Sequence, residues 1–270
     1  MSNKAKNFFN FKLGEPTQEF KDRINKKINA LDKPLFLEGT LGNIAIFNHM
    51  RQTPVLIIAY HFSEKNGYVD IMNILNYLFS GIHEGSLLKF LYDNYYISNF
   101  YMFNDGNLKN EQLINMVFDL TEKGLDNFNK IIEAFFAMIN VIKGSDNLEK
   151  LINNAKIIEE TIFKNKEETP AQFPDDVDNI VFNYHFYGPK NMVSGNPSDI
   201  LYTKLRVLEI INDMAPSKSF IFLDTKKNIV NDYITSTEIK YLKNYNVPYR
   251  VNKISENLIT KLNSIKSIEG

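Results

Sequence analysis

The chain has 270 residues with 31 Lys and Arg against 32 Asp and Glu, so its charge favours neither a nucleic-acid partner nor a membrane surface. It contains no cysteine, which excludes disulfides, cysteine nucleophiles and thiolate metal sites. With 44% hydrophobic and 23% charged residues, the composition is that of a soluble globular protein, and the lack of cysteine favours a reducing compartment such as the cytoplasm.

The beginning of the chain predicts a linker that leads into one larger domain. Residues 1-33 include an amphipathic run from Thr17 to Leu31, which predicts a helix that docks on the domain. Residues 34-270 contain no internal repeat and no low-complexity segment, so we expect a single α/β domain there.

This larger domain begins with a predicted succession of strands and one helix. Three β-branched or aromatic runs predict strands, and a broad apolar stripe after them predicts a helix, at residues 34-39, 42-49, 54-62 and 68-80. The run from Val55 to Tyr60 is almost continuously apolar, which predicts a central strand that is covered on both faces.

Residues 81-88 read Gly-Ile-His-Glu-Gly-Ser-Leu-Leu and connect two predicted helices. Gly81 is expected to end the first helix with a positive φ angle, and Ser86 to begin the second helix. His83 could be a catalytic base, a metal ligand or a residue that caps a helix end, and Gly85 could free backbone N–H groups for an anion or a peptide terminus. A hydrolase site using His83 and Glu84 would also need a nucleophile or a metal.

Two strand-like runs after this turn, 95-103 and 111-120, predict a β-hairpin, because Asn104-Asp105-Gly106-Asn107 between them is a strong turn signal. A strand with an open edge can accept an extended peptide as an added strand. The alternative interpretation is an ordinary strand whose aromatic residues pack in the fold.

The rest of the chain predicts several helices and a returning strand. Thr121 is suited to cap the first helix and Gly144 to end it. The predicted helices cover residues 121-143, 147-168, 175-187, 198-214 and 256-265. Between the last two of these lie a predicted strand at 218-224 and extended structure within 238-253.

Three blocks of this sequence resemble the insulinase (insulin-degrading-enzyme-like or pitrilysin-type) zinc metallopeptidases. Residues 81-88 are similar to the Gly-His-Glu-Gly-x-Gly-Ser-Leu-Leu element of that family's second domain, but Ile82 replaces a glycine and two residues are missing after Gly85. Residues 120-125 resemble the start of the family's long helix, and residues 214-223 resemble its helix, Pro-containing turn and returning strand. The blocks follow the order that the family has.

The resemblance implies the second, non-catalytic domain of the N-terminal half, with an α/β (α+β) fold in which helices cover a mostly antiparallel sheet. It implies that this domain packs on a zinc-bearing catalytic domain of the same polypeptide and helps to hold peptide substrate in a chamber. The matching positions for a peptide-binding exosite are His83, Glu84, Gly85, Ile97, Ser98, Asn99, Phe100 and Tyr101.

Catalysis in the insulinase family uses an inverted zinc motif, His-x-x-Glu-His. The sequence comes nearest to it after His61, but Lys65 stands where the second histidine is required. We therefore expect no catalytic residue and no metal ligand here, with zinc only in the presumed partner domain, and predict that the chain alone is inactive. The alternative interpretation is a free-standing binding or scaffold protein that has the same fold and no peptidase activity.

Overall fold

The computed structural model describes residues 17–19, 21–23, 39–48, 53–63, 71–105, 111–165, 173–193, 202–229 and 231–267. The chain divides into two units, Met1–Thr40 and Leu41–Gly270. In the first unit the described residues include helical ones, and the Lys21 N–H donates to the Thr17 carbonyl oxygen at 3.0 Å. Most of the predicted linker at 1-33 lies outside the described residues, so the domain boundary after it stays a prediction.

The second unit alternates strands and helices. Its first half consists of β1 (Asn43–Phe47), β2 (Val55–Ser63), α1 (Met72–Phe79), α2 (Leu87–Asp93), β3 (Ile97–Asn104) and β4 (Glu111–Leu120). The helices α3 (Glu122–Asp126), α4 (Phe128–Lys143), α5 (Leu148–Lys164), α6 (Phe173–Tyr187) and α7 (Lys204–Asp213) follow. The last elements are β5 (Ser219–Asp224), β6 (Lys240–Tyr241), β7 (Pro248–Lys253) and α8 (Glu256–Ser264).

These seven strands form one sheet in the order β3-β4-β2-β5-β1-β7-β6. Its neighbouring strands are antiparallel except for β1 and β5, which run parallel. The structure thus confirms the predicted α/β fold with a mostly antiparallel sheet. β2 lies between β4 and β5 and is buried along most of its length, as its apolar sequence predicts. Among the strands that the structure describes, β3 forms one edge of the sheet.

The core lies between one face of this sheet and the helices. Alternate strand residues point to that face, and they are buried together with the apolar stripes of the helices. Phe135 of α4 is central: its ring centroid lies 5.4 Å from that of Phe79 and 6.3 Å from those of Tyr60 and Phe118. Burial of each such aromatic side chain contributes about 2 kcal/mol to folding, so this cluster anchors the helices to the sheet.

The single helix predicted at 121-143 is wrong, because the structure has two helices there. The Thr121 hydroxyl oxygen accepts a hydrogen bond from the Gly124 N–H at 3.0 Å, which starts α3 as predicted. Asn127 then leaves the helical region with φ -122° and ψ 26°, and α4 begins after it. The apolar spacing does not reveal the break, since Phe128 beyond it remains buried.

The other elements follow the predicted order with shifted ends. α4 has Gly144 as its C-cap, and β5 lies within the predicted strand at 218-224. α7 begins only at Lys204, after the capping residue Thr203, and the predicted helical residues 198-201 lie outside the described part of the chain. In the described ranges, none of the helices combines the length and the apolar character needed to cross a bilayer.

Candidate peptide-binding site

The turn at residues 81–86 connects α1 to α2. α1 ends at Phe79, and the N–H of its C-cap residue Ser80 donates to the Asn76 carbonyl oxygen at 2.9 Å. The predicted positive φ at Gly81 is wrong, because the residue of this turn with a positive φ is Gly85, at 79°. A Cβ at Gly81 would lie 3.1 Å from the His83 imidazole, so glycine makes room there for the ring.

Ser86 fixes the shape of this turn. Its hydroxyl oxygen accepts hydrogen bonds from the N–H of Lys89 at 3.2 Å and from the N–H of His83 at 3.1 Å. The Ser86 N–H in turn donates to the His83 carbonyl oxygen at 3.0 Å. Ser86 is only 3% exposed, so these bonds form away from water and hold the turn against the start of α2.

The other polar groups of the turn face solvent. His83 is exposed, and its Nδ1 lies 3.1 Å from the carbonyl oxygen of Glu84. The Glu84 side chain is 92% exposed and its carboxylate lies 3.6 Å from the Lys89 ammonium. That ammonium contacts Asp93 more closely, at 2.7 Å, and this hydrogen bond raises the pKa of Lys89. The Glu84 carboxylate is therefore accessible to a ligand.

A cavity of about 410 Å³ opens beside the turn, between α2, α4 and the chain after α8. Its apolar wall consists of Leu87, Phe90, Ala134, Ala137, Met138 and Val141. Charged residues border it, namely Glu84, Lys89, Asp93 and Lys266. A Cβ at Gly85 would meet no atom within 4 Å, so this side of the turn borders open space.

The predicted strand positions Ile97 to Tyr101 lie in β3 and differ in exposure. Ile97 is 3% exposed and belongs to the core, and the Phe100 ring centroid lies 4.9 Å from that of Phe118. Ser98, Asn99 and Tyr101 are exposed. The side chains of Ile97 and Phe100 thus stabilise the sheet, and only their main-chain groups could contact a peptide.

The turn and the strand lie at opposite ends of α2. This helix has seven residues, which makes it about 10 Å long. Along the chain, one short helix and the residues after it thus separate His83, Glu84 and Gly85 from β3.

Two residues outside the predicted site hold the start of β3 in place. The Thr121 hydroxyl donates to the Tyr95 carbonyl oxygen at 2.6 Å, and the Thr121 N–H donates to the Tyr96 carbonyl oxygen at 3.1 Å. A Cβ at Gly124 would lie 1.8 Å from that same Tyr96 oxygen, so only glycine permits this close approach. The Thr-Glu-Lys-Gly sequence at 121-124 predicts the start of a helix, but only the structure reveals that these residues contact the start of β3.

The histidines do not form a metal centre in the described part of the chain. His61 contacts the Glu111 carboxylate across β2 and β4, and His83 lies in the turn. Among the described residues there is no group of three His, Cys, Asp or Glu side chains that could hold a metal ion. His49 and the side chain of His185 lie outside the described residues.

Comparisons with known proteins identify related domains. A model of the Peptidase M16 inactive domain matches residues 11–158, which is more than half of the chain. The fold is similar to part of pitrilysin, with a TM-score of 0.66, 17% identity and coverage of 87% of this chain and 24% of that one. It is also similar to a protease from Helicobacter pylori, with a TM-score of 0.50, 12% identity and coverage of 78% of this chain and 52% of that one. A search of curated proteins finds no significant match.

The chain spans about a quarter of the pitrilysin chain and about half of the Helicobacter pylori protease chain. The family match includes residues 81-88 and 120-125 and confirms the insulinase-type resemblance, whereas residues 214-223 lie beyond it. The structural similarity confirms the fold expected from that resemblance. The family's description as inactive agrees with the lack of a His-x-x-Glu-His motif in the sequence. The chain therefore belongs to the family of the Peptidase M16 inactive domain.

Proposed function

We propose that this chain is the non-catalytic domain of an insulinase-type zinc metalloendopeptidase and that it holds an extended peptide away from the zinc. The observation that carries the proposal is the position of β3 at the edge of the sheet, one short helix away from the exposed turn at 83–85. An edge strand offers unpaired main-chain N–H and C=O groups, and an added peptide strand satisfies them.

The turn contributes a charge for one end of the peptide. The resemblance implies that the segment after His83-Glu84-Gly85 helps to hold the N-terminal part of an extended substrate. The Glu84 carboxylate is accessible and can pair with the α-ammonium group of such a peptide. An exposed ion pair of this kind strengthens binding by about two- to fivefold. The apolar cavity beside Glu84 offers space for the first side chain of the peptide.

The mechanistic contribution of this domain is positioning. Binding the remote end of a substrate reduces the entropy cost of bringing the scissile bond to the catalytic centre. In this proposal the zinc and its ligands belong to the catalytic domain of the same polypeptide, on which this domain packs. The chain itself supplies no catalytic residue, because its sequence has no His-x-x-Glu-His motif.

Peptide binding by the purified chain tests the proposal. We expect fluorescence anisotropy to detect binding of an extended peptide with a free N-terminus, and we expect no chelator-sensitive cleavage of it. Glu84→Gln should weaken this binding but leave the binding of the N-acetylated peptide unchanged, since the exposed side chain has little effect on folding. If no extended peptide binds, or if the chain alone cleaves peptides, the proposal is wrong.

One observation favours a second candidate, a free-standing binding or scaffold protein. Helix α6 exposes several apolar side chains at helical spacing, including Val177 at 43%, Val181 at 63% and Tyr184 at 58%, and such a stripe suits a protein partner. The coding sequence next to this chain separates the two candidates. An adjoining segment that encodes His-x-x-Glu-His supports the peptidase, and an adjoining segment without it supports the scaffold.

A further inference from the structure

The main-chain orientation of β3 can be derived from one hydrogen bond. The Asp105 N–H donates to the Leu113 carbonyl oxygen at 2.9 Å, directly after the pair Asn104 and Ile114. In an antiparallel pair of strands, residues point their main-chain groups alternately toward the neighbouring strand and away from it. Tyr101 and Phe103 therefore point these groups toward β4, and the main-chain N–H and C=O of Phe100 and Met102 point to the open edge.

The side chains of these four residues alternate between the two faces of the sheet. Phe100 and Met102 pack against the core. Tyr101 and Phe103 lie on the other face of the sheet, 42% and 39% exposed, with their ring centroids 6.2 Å apart. The open edge thus combines outward main-chain groups with two adjacent, solvent-exposed aromatic rings.

The residues of β3 itself give this edge little protection against strand addition. Soluble proteins usually guard an edge strand with lysine, other charges, proline or a bulge. The sequence of β3, Ile-Ser-Asn-Phe-Tyr-Met-Phe-Asn, contains no charged residue and no proline. Its bulge lies between Ile97 and Asn99, so the regular segment from Asn99 onward remains suited to pairing. This segment includes the exosite positions Asn99, Phe100 and Tyr101 that the resemblance implies, and it continues beyond them to Met102 and Phe103.

We propose that β3 binds extended polypeptide segments with bulky apolar or aromatic side chains at alternate positions, i and i+2. The main chain of such a segment bonds to Phe100 and Met102, and its two apolar side chains lie over Tyr101 and Phe103. This inference rests on the proposed peptide-holding function and names the class of peptide that the site selects. Cross-strand pairs with aromatic side chains favour this arrangement over one with small polar residues.

Two peptide comparisons test the inference on the full chain. The first compares an eight-residue labelled peptide that has phenylalanine at two alternate positions with the same peptide carrying alanine there. We expect the phenylalanine peptide to bind about tenfold more tightly, which corresponds to two cross-strand pairs. The second comparison uses two N-methylated forms of the phenylalanine peptide: one register of methylation covers its odd-numbered residues and the other covers its even-numbered residues. Only one of these two forms should lose binding, because only alternate N–H groups of an added strand face β3.

Substitutions of Tyr101 and Phe103 test whether their rings cause the preference for the phenylalanine peptide. Tyr101→Thr and Phe103→Thr should each reduce the tenfold preference for phenylalanine to about threefold, because each removes one of the two cross-strand pairs. Both keep a residue type that is favoured in strands. Tyr245→Thr is the matched control, since Tyr245 is 79% exposed and lies far along the chain from β3. Because all three side chains are exposed, their urea midpoints should match that of the unmodified chain.

The outcomes separate this inference from the proposed function. If both peptides bind equally and the threonine variants change nothing, the selectivity is refuted while peptide holding stands. If no peptide binds in any register, the proposed function itself fails, and the inference fails with it. If β3 instead mediates dimerisation that Tyr101→Thr or Phe103→Thr disrupts and no peptide binds, the edge pairs with a second copy and the inference is overturned.

Discussion

Substitution of Gly124 by alanine should strongly destabilise the fold. In isolation this change favours a helix by about 1 kcal/mol, because alanine has the higher helix propensity. In the structure, however, the new Cβ would lie 1.8 Å from the Tyr96 carbonyl oxygen, where ordinary contacts begin at 3.4 Å. The start of α3 and the start of β3 would have to separate, which stretches the two hydrogen bonds that Thr121 donates to Tyr95 and Tyr96.

The loss of these hydrogen bonds and the overpacking determine how far the free energy of unfolding should fall. Each lost hydrogen bond costs about 1 kcal/mol, and the overpacking costs about 1–3 kcal/mol. We expect the free energy of unfolding to fall by about 3 kcal/mol after the gain in helix propensity is included. The peptide affinity of β3 should fall as well, since the same bonds hold the strand's first residues in place.

Urea unfolding followed by circular dichroism measures this effect, with Gly144→Ala as the matched control. Gly144 has φ -92°, and a Cβ there would lie 3.6 Å from the nearest backbone oxygen, which is an ordinary contact. The control should therefore change the unfolding free energy by less than about 1 kcal/mol. If Gly124→Ala is as stable as this control, the close approach to Tyr96 does not constrain the fold and the reasoning is refuted.

Three further predictions concern other parts of the domain. Ser86→Ala should lower the free energy of unfolding by about 1–2 kcal/mol, because the N–H groups of Lys89 and His83 lose their acceptor; Ser86→Thr, which keeps the hydroxyl, is the control in urea unfolding. Stability should fall as the pH rises above about 10, by up to about 1.4 kcal/mol per pH unit for each tyrosine involved. The reason is that burial raises the pKa of Tyr60, and burial together with a hydrogen bond to Glu133 raises the pKa of Tyr233, so the folded chain retains protons that the unfolded chain releases. Urea titrations between pH 8 and pH 11 check this, and an unchanged slope for Tyr233→Phe would contradict the assignment. Arg250→Met should cost about 2 kcal/mol, since the buried guanidinium donates to the carbonyl oxygens of Ile229 at 2.8 Å and Ser236 at 3.4 Å; a thermal melt equal to that of the unmodified chain would exclude this role.

The sequence predicts most helices and strands because interactions between residues close together in the chain determine them. The hairpin of β3 and β4 follows from two strand-like runs around a turn signal, and the start of α2 follows from Ser86 and the leucines after it. The break at Asn127 escapes such reasoning, because the buried positions continue across it in helical spacing. Gly81 shows a similar failure: its small size makes room for the His83 ring, a contact that helix-ending rules do not include.

The candidate site needs long-range information that one sequence does not supply. Strand order is set by packing between distant segments, so the sequence predicts β3 as a strand but not as an edge strand. The same holds for exposure: Ile97 and Tyr101 both suit a strand, yet one is buried and the other is exposed. The hydrogen bonds between Thr121 and the start of β3 likewise connect residues that lie about 25 positions apart in the chain.

The position of β5 in the sheet has a consequence for how the chain folds. β1 and β2 follow each other in sequence, but β5, formed only by Ser219–Asp224, lies between them and pairs with both. Until β5 has left the ribosome, β1 lacks both of its partner strands and β2 lacks one, which favours chaperone binding or aggregation and slows folding through late loop closure. A fragment that stops at residue 158, where the family match ends, would lack the strand that joins the two halves of the sheet. The unit that folds is therefore longer than the part of the chain that the family model matches.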